Sequence, residues 1–210
     1  MSRVPFHLVD HPLAQDALVE LRDARTQPPA FRAAAHRISL IVGAEALRDV
    51  PTEAETVSTP VGPADGRVLR ADIVVVPVLR AGLGMLDSIL QIVPRARVGH
   101  IGLQRDEATA AASRYYARLP SGLAASIVLL VDPMLATGGS AVAAVDIIKA
   151  AGVRAIRMLC VVASPEGVAA MTAAHPDVHI YCPALDTSLN ARKFIVPGLG
   201  DFGDRLYGTL

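Results

Sequence analysis

From Asp72 to about Leu185 the chain alternates apolar runs with amphipathic segments, and this alternation constrains the fold more than any other feature of the sequence. The predicted strands are "DIVVVPVL", "ARVGHIGLQ", "SIVLLVD", "AIRMLCVVAS" and "DVHIYCPAL", and the predicted helices are "GMLDSILQIV", "GGSAVAAVDIIKAAG" and "PEGVAAMTAAH". Near-continuous apolar strands are typical of a parallel sheet that is buried on both faces. The series therefore predicts right-handed βαβ units and an open, doubly wound α/β sheet.

The segments outside this series have other patterns. Helical spacing predicts one helix from Pro12 and a second from about Ala30 to about Arg48, followed by a short strand and turn in "TEAETVSTPVG". The stretch "RDEATAAASRYYARLPSG", which begins at Arg105, is too polar for a crossover helix and favours a β-hairpin or arm. Ligands of doubly wound sheets bind beyond the carboxyl ends of the strands, so we expect the chemistry there.

Composition argues against several classes of function. Lys plus Arg and Asp plus Glu both number 20, so no overall positive charge attracts nucleic acid or anionic lipid, and we expect neither as a partner. The charged start "MSRVPFHLVDHPL" is unlike a signal peptide, and the apolar runs are shorter than a membrane span. Two cysteines, Cys160 and Cys182, fit a reducing cytoplasm better than a disulfide framework.

The segment from Ile127 to Val142, "IVLLVDPMLATGGSAV", has the residue types that bind a sugar phosphate. Unpaired amides at a helix N-terminus attract phosphate, and glycines let the backbone approach it closely. Asp132, at the end of the predicted strand, would repel phosphate but can accept hydrogen bonds from a ribose diol. An ordinary strand–turn–helix with a capping Thr or Ser is the alternative. A Walker A loop is excluded, because no Lys follows the glycines.

At this point the residues resemble a known family. "VDPMLATGGSA" resembles the phosphoribosyl-diphosphate-binding motif of the type I phosphoribosyltransferases, and Pro133 after the acid is the form seen in uracil phosphoribosyltransferases. Further segments resemble that family in order and spacing: "HPLAQDALVELRDART", "VPVLRAGLGM", "ARVGHIGLQRDE", "ASPEG", "AHPDVHIY", "LN" and "IVPGLGDFGDRLYGT". The resemblance covers nearly the entire chain.

The resemblance implies a type I phosphoribosyltransferase fold: a central, mainly parallel sheet flanked by helices, with a β-arm and a small hood. We expect a single domain over residues 1–210, with its core at about 65–183 and the hood formed by about 1–64 and 184–210. The implied reaction joins phosphoribosyl diphosphate and uracil to give uridine monophosphate and diphosphate. Mg²⁺ would be carried with the diphosphate rather than by protein ligands, the chain would form a homodimer or higher homo-oligomer, and GTP is a candidate effector.

The resemblance also implies roles for individual residues. The four expected catalytic residues are Arg80, Arg105, Asp132 and Asp201. Phosphoribosyl diphosphate would contact these four and the loop residues Pro133, Met134, Leu135, Ala136, Thr137, Gly138, Gly139 and Ser140. Uracil would contact Ile195, Gly200, Asp201 and Phe202. For Arg80 and Arg105, a surface ion pair is the alternative role, and Arg105 is followed directly by Asp106 and Glu107.

The chain departs from the family pattern at three places. Gln104 stands where the family usually has Tyr, and Phe202 stands where it has a small Ala. The stretch "LDTSLNARKF" is less acidic than usual and lacks a Gly before its aromatic residue. The Phe202 ring has two alternative positions: it points into the hood, or it narrows the base pocket. The second position would also allow a different function, a regulator with weak activity or altered base preference.

A dinucleotide oxidoreductase is a third hypothesis, because "GLGDFG" at residues 198–203 has the spacing G-x-G-x-x-G. That fingerprint requires a strand before it, a helix after it and an acidic residue about 20 positions further on. The chain ends at Leu210 before such a residue, so we reject this hypothesis.

Overall fold

The computed structural model describes residues 5–105 and 112–209. Its helices are α1 (Pro12–Arg22), α2 (Pro28–Ala46), α3 (Leu83–Ile92), α4 (Gly139–Ala150), α5 (Pro165–Ala174) and α6 (Phe202–Tyr207). Its strands are β1 (Phe6–Leu8), β2 (Thr52–Ser58), β3 (Pro63–Leu69), β4 (Ile73–Leu79), β5 (Arg97–Val98), β6 (His100–Arg105), β7 (Ala112–Arg118), β8 (Ile127–Val131), β9 (Met134–Leu135), β10 (Ala155–Leu159), β11 (Val162–Ala163), β12 (His179–Cys182), β13 (Ser188–Leu189) and β14 (Ile195–Val196).

The main sheet is parallel except at one edge. Its order is β1-β12-β10-β8-β4-β6-β7, with β5 also pairing with β4. All these pairings are parallel apart from that of β6 with β7. The predicted doubly wound α/β sheet is therefore confirmed, and the carboxyl ends of β4, β6 and β8 lie next to one another.

Apolar side chains alternate between two cores, one on each face of the sheet. In β4, Ile73 and Val75 contribute to the core beneath α1, α2 and α3, whereas Val74 and Val76 contribute to the core beneath α4 and α5. A strand with helices on both faces must be apolar at every position, which explains why "DIVVVPVL" has no polar alternation.

Several elements differ from the prediction, which does not contain β9, β13, β14 or α6. The prediction also lacks β1, which pairs in parallel with β12 at the sheet edge. The predicted short strand and turn in "TEAETVSTPVG" is a complete hairpin of β2 and β3, whose second strand is mostly exposed and too polar to be recognised. The predicted strand "ARVGHIGLQ" is divided into β5 and β6.

The predicted β-arm corresponds to β6 and β7, which pair antiparallel from His100 with Arg118 to Arg105 with Ala112. Residues 106–111, including Asp106 and Glu107, lie outside the described residues. β7 adds an antiparallel strand to the edge of the parallel sheet.

The two ends of the chain pack together near the carboxyl edge of the sheet. Arg205 of α6 is buried, and its guanidinium donates to the backbone oxygens of Leu21, Asp23 and Leu199. These bonds join the end of α1 to the turn before α6. In the described part of the chain, no helix is long and apolar enough to cross a membrane.

Candidate active site

Asp132 follows β8 at the carboxyl edge of the sheet. Its backbone amide donates to the Leu159 oxygen at 3.2 Å, which continues the ladder toward β10. Burial raises the pKa of the Asp132 carboxyl to about 6, although a hydrogen bond from the Met134 amide opposes this shift and the Asp201 charge adds to it. Asp132 and Asp201, 69 positions apart in sequence numbering, therefore lie close enough to interact electrostatically.

The loop after Asp132 is held by bonds from neighbouring segments. The Pro133 oxygen accepts from the amides of Val161 and Val162, at 2.9 and 3.1 Å. Ser164, the N-cap of α5, donates its hydroxyl to the Ala136 oxygen at 2.6 Å. Leu135 is itself buried. Pro133 and Leu135 therefore anchor the loop through their backbone and side chain, and Ser164 is a supporting residue that the sequence analysis did not identify.

Helix α4 begins with an open N-terminus. Gly138 is its N-cap at φ 82°, in the left-handed region that favours glycine, and no side-chain hydrogen bond caps this helix. The alternative of an ordinary turn with a capping Thr or Ser is therefore not supported. The first-turn amides have no intrahelical partner and are oriented to attract an anion.

A small cavity of about 50 Å³ lies over this helix start. It is lined by Asp132, Met134, Leu135, Ala136, Thr137, Gly138, Ser140 and Ala141. The structure thus brings together most of the residues that the sequence assigns to the sugar phosphate. Gly139, the first residue of α4, is exposed beside them.

Arg80 follows β4, the strand next to β8 in the sheet. Its guanidinium donates to Asp204 at 3.3 Å, and the side chain is 59% exposed. Arg80 does not itself line the larger cavity described next, but the adjacent Ala81 does. The surface ion pair named as an alternative for Arg80 is present, and its exposure leaves the guanidinium accessible to a ligand.

Arg105 is the last residue of β6. Its backbone therefore ends at the same edge of the sheet as Arg80 and Asp132. The Arg105 side chain lies outside what the structure describes.

A larger cavity of about 330 Å³ adjoins the phosphate loop. It is lined by Ala81, Met134, Ala136, Arg192, Lys193, Phe194, Ile195, Gly200, Asp201, Phe202 and Gly203. Met134 and Ala136 line both cavities. All four residues assigned to uracil from the sequence border this cavity.

The C-terminal wall of the larger cavity is held by a buried ion pair. Arg22 of α1 donates two hydrogen bonds to Asp186, at 2.9 and 2.6 Å, and Asp186 also accepts from the Gly198 amide at 2.7 Å. Gly198 adopts φ 58°, and a Cβ there would stand 2.2 Å from the Ile195 oxygen. The turn that leads to Gly200 therefore requires glycine at position 198. Nothing in the local sequence indicated the Arg22–Asp186 pair, since its members are distant along the chain.

The Phe202 ring points into the hood. Only 1% of Phe202 is exposed, and its ring meets the Phe31 ring edge-on, with centroids 5.1 Å apart. A Cβ on Gly84 would stand 3.0 Å from the Phe202 ring, so the glycine after the Arg80 turn leaves room for this aromatic. The ring is packed in the hydrophobic core rather than free to narrow the base pocket.

Asp201 caps α6 by accepting from the Asp204 amide at 2.9 Å, and it remains exposed in the cavity. Carboxylate oxygens such as those of Asp201 and Asp132 are ligands that suit Mg²⁺. Among residues 5–105 and 112–209, no group of three or more His, Cys, Asp or Glu side chains could hold a metal ion.

Comparison with known sequences identifies close relatives. The family model described as uracil phosphoribosyltransferase matches residues 8–209. A uracil phosphoribosyltransferase of Symbiobacterium thermophilum is 51% identical over 210 residues, which are 100% of both chains. One from Dictyoglomus thermophilum is 50% identical over 203 residues, which cover 96% of this chain and 98% of that one.

Comparison with solved structures gives a consistent fold. A protein structure from Aquifex aeolicus superposes with a TM-score of 0.92 at 36% identity, covering 96% of this chain and 97% of that one. A hypoxanthine phosphoribosyltransferase from Staphylococcus aureus gives a TM-score of 0.53 at 12% identity, covering 80% and 85%. At that identity the second structure shows a shared fold alone.

Proposed function

Because this chain belongs to the uracil phosphoribosyltransferase family, we infer that it transfers the phosphoribosyl group of phosphoribosyl diphosphate to uracil. The products are uridine monophosphate and diphosphate, as in pyrimidine salvage. One observation supports this most directly: Met134 and Ala136 line both the small cavity over α4 and the larger cavity beside it. A sugar phosphate and a base that react with each other require two adjoining sites of this kind.

In the reaction, a ring nitrogen of uracil forms a bond to the anomeric carbon of ribose while the bond from that carbon to the diphosphate oxygen breaks. The nitrogen loses its proton, and the diphosphate leaves with the bonding electron pair. The transition state has oxocarbenium character, so the protein contributes mainly through positioning and electrostatics. No covalent intermediate with the protein is needed.

We assign the phosphoribosyl group to the α4 site. The amides of Gly139 and Ser140 would hold the phosphate, together with the hydroxyls of Thr137 and Ser140. Asp132 would accept hydrogen bonds from the ribose diol, and the ionised form accepts most strongly because both of its oxygens are then acceptors. Because its pKa is raised to about 6 in the free protein, hydrogen bonds from the diol would favour the charged form and lower that pKa.

We assign the diphosphate to the loops that follow β4 and β6, where Arg80 and Arg105 would neutralise the leaving group. Guanidinium groups suit phosphate oxygens because they donate two parallel hydrogen bonds. Asp201, which lines the larger cavity, would position the substrate. Asp201 could contribute a ligand to Mg²⁺ that arrives with the diphosphate, and the cation would supply further neutralisation of the leaving group.

The base would bind in the larger cavity against Ile195 and the turn at Gly200. Backbone groups of a Gly-rich turn can bond the imide edge of a small, flat base, and a site of that kind rejects a base without the matching groups. Cytosine should therefore be excluded. The regulator hypothesis is not favoured, because it depended on a Phe202 ring that narrows the pocket, and the ring is buried in the hood.

The central experiment measures diphosphate release from phosphoribosyl diphosphate in the presence of Mg²⁺, with uracil, cytosine, hypoxanthine or no base. We expect turnover with uracil alone. Absence of turnover with uracil would contradict the proposed reaction. Equal turnover with cytosine would contradict the proposal that backbone groups recognise the imide edge of uracil.

Three properties of the protein follow from the family resemblance and are part of this proposal. We propose a homodimer or higher homo-oligomer, which analytical ultracentrifugation would test. We propose that GTP activates the enzyme, which initial rates with and without GTP would test. We propose a cytoplasmic location, which the two free, buried cysteines, Cys160 and Cys182, support.

A further inference from the structure

The hairpin of β13 and β14 brings two positive charges to the larger cavity. Its tip, residues 190–194, contains Arg192, Lys193 and Phe194, and all three residues line the cavity together with Ala81, the residue next to Arg80. In this segment the related family is more acidic and has a glycine before the aromatic residue. Lys193 therefore stands in this chain at the position before the aromatic residue, where the family pattern has glycine.

The backbone of the hairpin tip is fixed without help from these two side chains. The Asn190 side-chain oxygen accepts from the amides of Arg192 and Phe194, at 2.9 and 3.0 Å. The Lys193 amide donates to the backbone oxygen of Asn190. Lys193 adopts φ 64°, a left-handed conformation that is unfavourable for residues other than glycine. Residues held in such conformations are concentrated at ligand-binding sites, so the presence of lysine here suggests a role for its charge.

Neither residue forms a close ion pair in the described part of the chain, although the Lys193 charge helps to lower the pKa of Glu166 from a greater distance. No ion pair within 4.0 Å involves Arg192 or Lys193 there, whereas several other surface arginines are paired, including Arg25 with Asp23 and Arg48 with Glu45. The Arg192 guanidinium lies 5.4 Å from the centroid of the Phe194 ring. Two exposed cations that border a cavity, and that no close ion pair holds, are available to an anionic ligand.

We propose that Arg192 and Lys193 bind the diphosphate group of the sugar donor, from the hairpin side of the cavity. This proposal rests on the function proposed above. Uracil is neutral at pH 7, whereas the donor has several negative charges, and electrostatic attraction scales with the charge of the ligand. Guanidinium and ammonium groups both bind phosphate oxygens. The charge of the ligand therefore favours the donor, rather than the base, as the partner of these residues.

The test uses the variant Arg192→Gln/Lys193→Gly, in which glycine suits the observed φ at position 193. Titration calorimetry would measure binding of inorganic diphosphate to the full chain in the presence of Mg²⁺. We expect affinity to fall about fivefold to tenfold, as the loss of two partly exposed charge contacts implies, and its dependence on salt to become weaker. The KM for uracil should change by less than about twofold. Arg67→Gln, which removes an exposed charge from the β2–β3 hairpin, is the matched control.

Unchanged affinity for diphosphate would overturn the proposal, and so would a larger effect on the KM for uracil than on diphosphate binding. The single variant Lys193→Gly, followed by thermal unfolding, shows whether the hairpin remains folded, and it should also weaken diphosphate binding. Because the calorimetric measurement needs no base, its outcome is independent of turnover. If the wild-type protein did not use uracil, the proposed function would fail while the loss of diphosphate affinity could still be observed.

Discussion

Arg22 and Asp186 form a two-point ion pair that joins residues 164 positions apart, and the same carboxylate accepts from the amide of Gly198, in the turn between the cavity-lining residues Ile195 and Gly200. Arg22 also donates to the Gly198 oxygen at 2.9 Å. The side chain of Asp186 is only 6% exposed. The first helix of the chain therefore fixes the shape of a pocket that is built from its last residues.

The first prediction concerns this pair. Removing one partner of a buried ion pair leaves an uncompensated charge, so Arg22→Ala should lower the free energy of unfolding by about 3 kcal/mol. It should also raise the KM for uracil, because the turn at Gly198 loses its anchor. Urea denaturation and steady-state kinetics would measure the two effects. Arg25→Ala is the control, since its exposed pair with Asp23 should contribute less than about 1 kcal/mol. A similar loss of stability in both variants would contradict this account.

A second prediction follows from the packing of Phe202. Phe202→Ala should lower the free energy of unfolding by about 3 kcal/mol, because it removes a buried ring and leaves a cavity beside Phe31. Use of uracil should not improve. Phe202→Leu keeps most of the volume and should be less destabilising. An increase in kcat/KM for uracil with the alanine variant would indicate that the ring does restrict the base pocket.

These two cases show what the sequence could and could not predict. The parallel sheet was predictable because each buried strand is a continuous apolar run, and β4 is an example. The α4 site was predictable because its residues are consecutive along the chain. The Arg22–Asp186 pair and the direction of the Phe202 ring depend on contacts between the two ends of the chain, which no local pattern records.

The missed strands have a related physical cause. β3 is mostly exposed and therefore has no apolar periodicity, and β1 has three residues that become a strand only by pairing with β12. The resemblance to a known family named four residues for uracil, and all four line the larger cavity. It did not predict that Arg192 and Lys193 would border that cavity, although it did show that this stretch departs from the family pattern.

A third prediction concerns Arg80. Arg80→Gln should raise the KM for phosphoribosyl diphosphate at least about tenfold, because a guanidinium that neutralises the diphosphate is lost. The free energy of unfolding should change by less than about 0.5 kcal/mol, since the exposed contact between Arg80 and Asp204 is weak. Steady-state kinetics and urea denaturation would measure these effects, with the exposed Arg95→Gln as control. A structural role would show the reverse pattern, with lost stability and unchanged KM.

A fourth prediction concerns Mg²⁺. Chelation with EDTA should abolish turnover, and added Mg²⁺ should restore it, because the cation neutralises the leaving diphosphate. The thermal unfolding midpoint of the free protein should not change with EDTA, since the cation is proposed to arrive with the substrate. A lower midpoint in EDTA would instead indicate a cation held by the protein itself.

The last prediction uses the half-buried carboxyl of Asp132, whose pKa is raised to about 6 chiefly by loss of contact with solvent. A carboxyl whose pKa is higher in the folded state than in the unfolded state favours folding at low pH, and this contribution is lost as the pH rises through 6. At pH 7.5 the folded protein therefore contains a charge that burial disfavours. Asp132→Asn should raise the free energy of unfolding at pH 7.5 by on the order of 2 kcal/mol, and this gain should disappear below pH 4.

The same substitution should abolish most turnover, because asparagine cannot provide the carboxylate that accepts from the ribose diol. Urea denaturation at pH 7.5 and below pH 4 would measure the stability difference. Asp177→Asn is the control, for which we expect a stability change in the opposite direction. The ion pair with Lys149 lowers the pKa of Asp177, so loss of this pair should slightly destabilise the protein at pH 7.5. If Asp132→Asn increased stability but kept full activity, the assignment of Asp132 to the sugar site would be wrong. If it increased stability and lost activity, Asp132 would be a residue that serves function at the expense of stability.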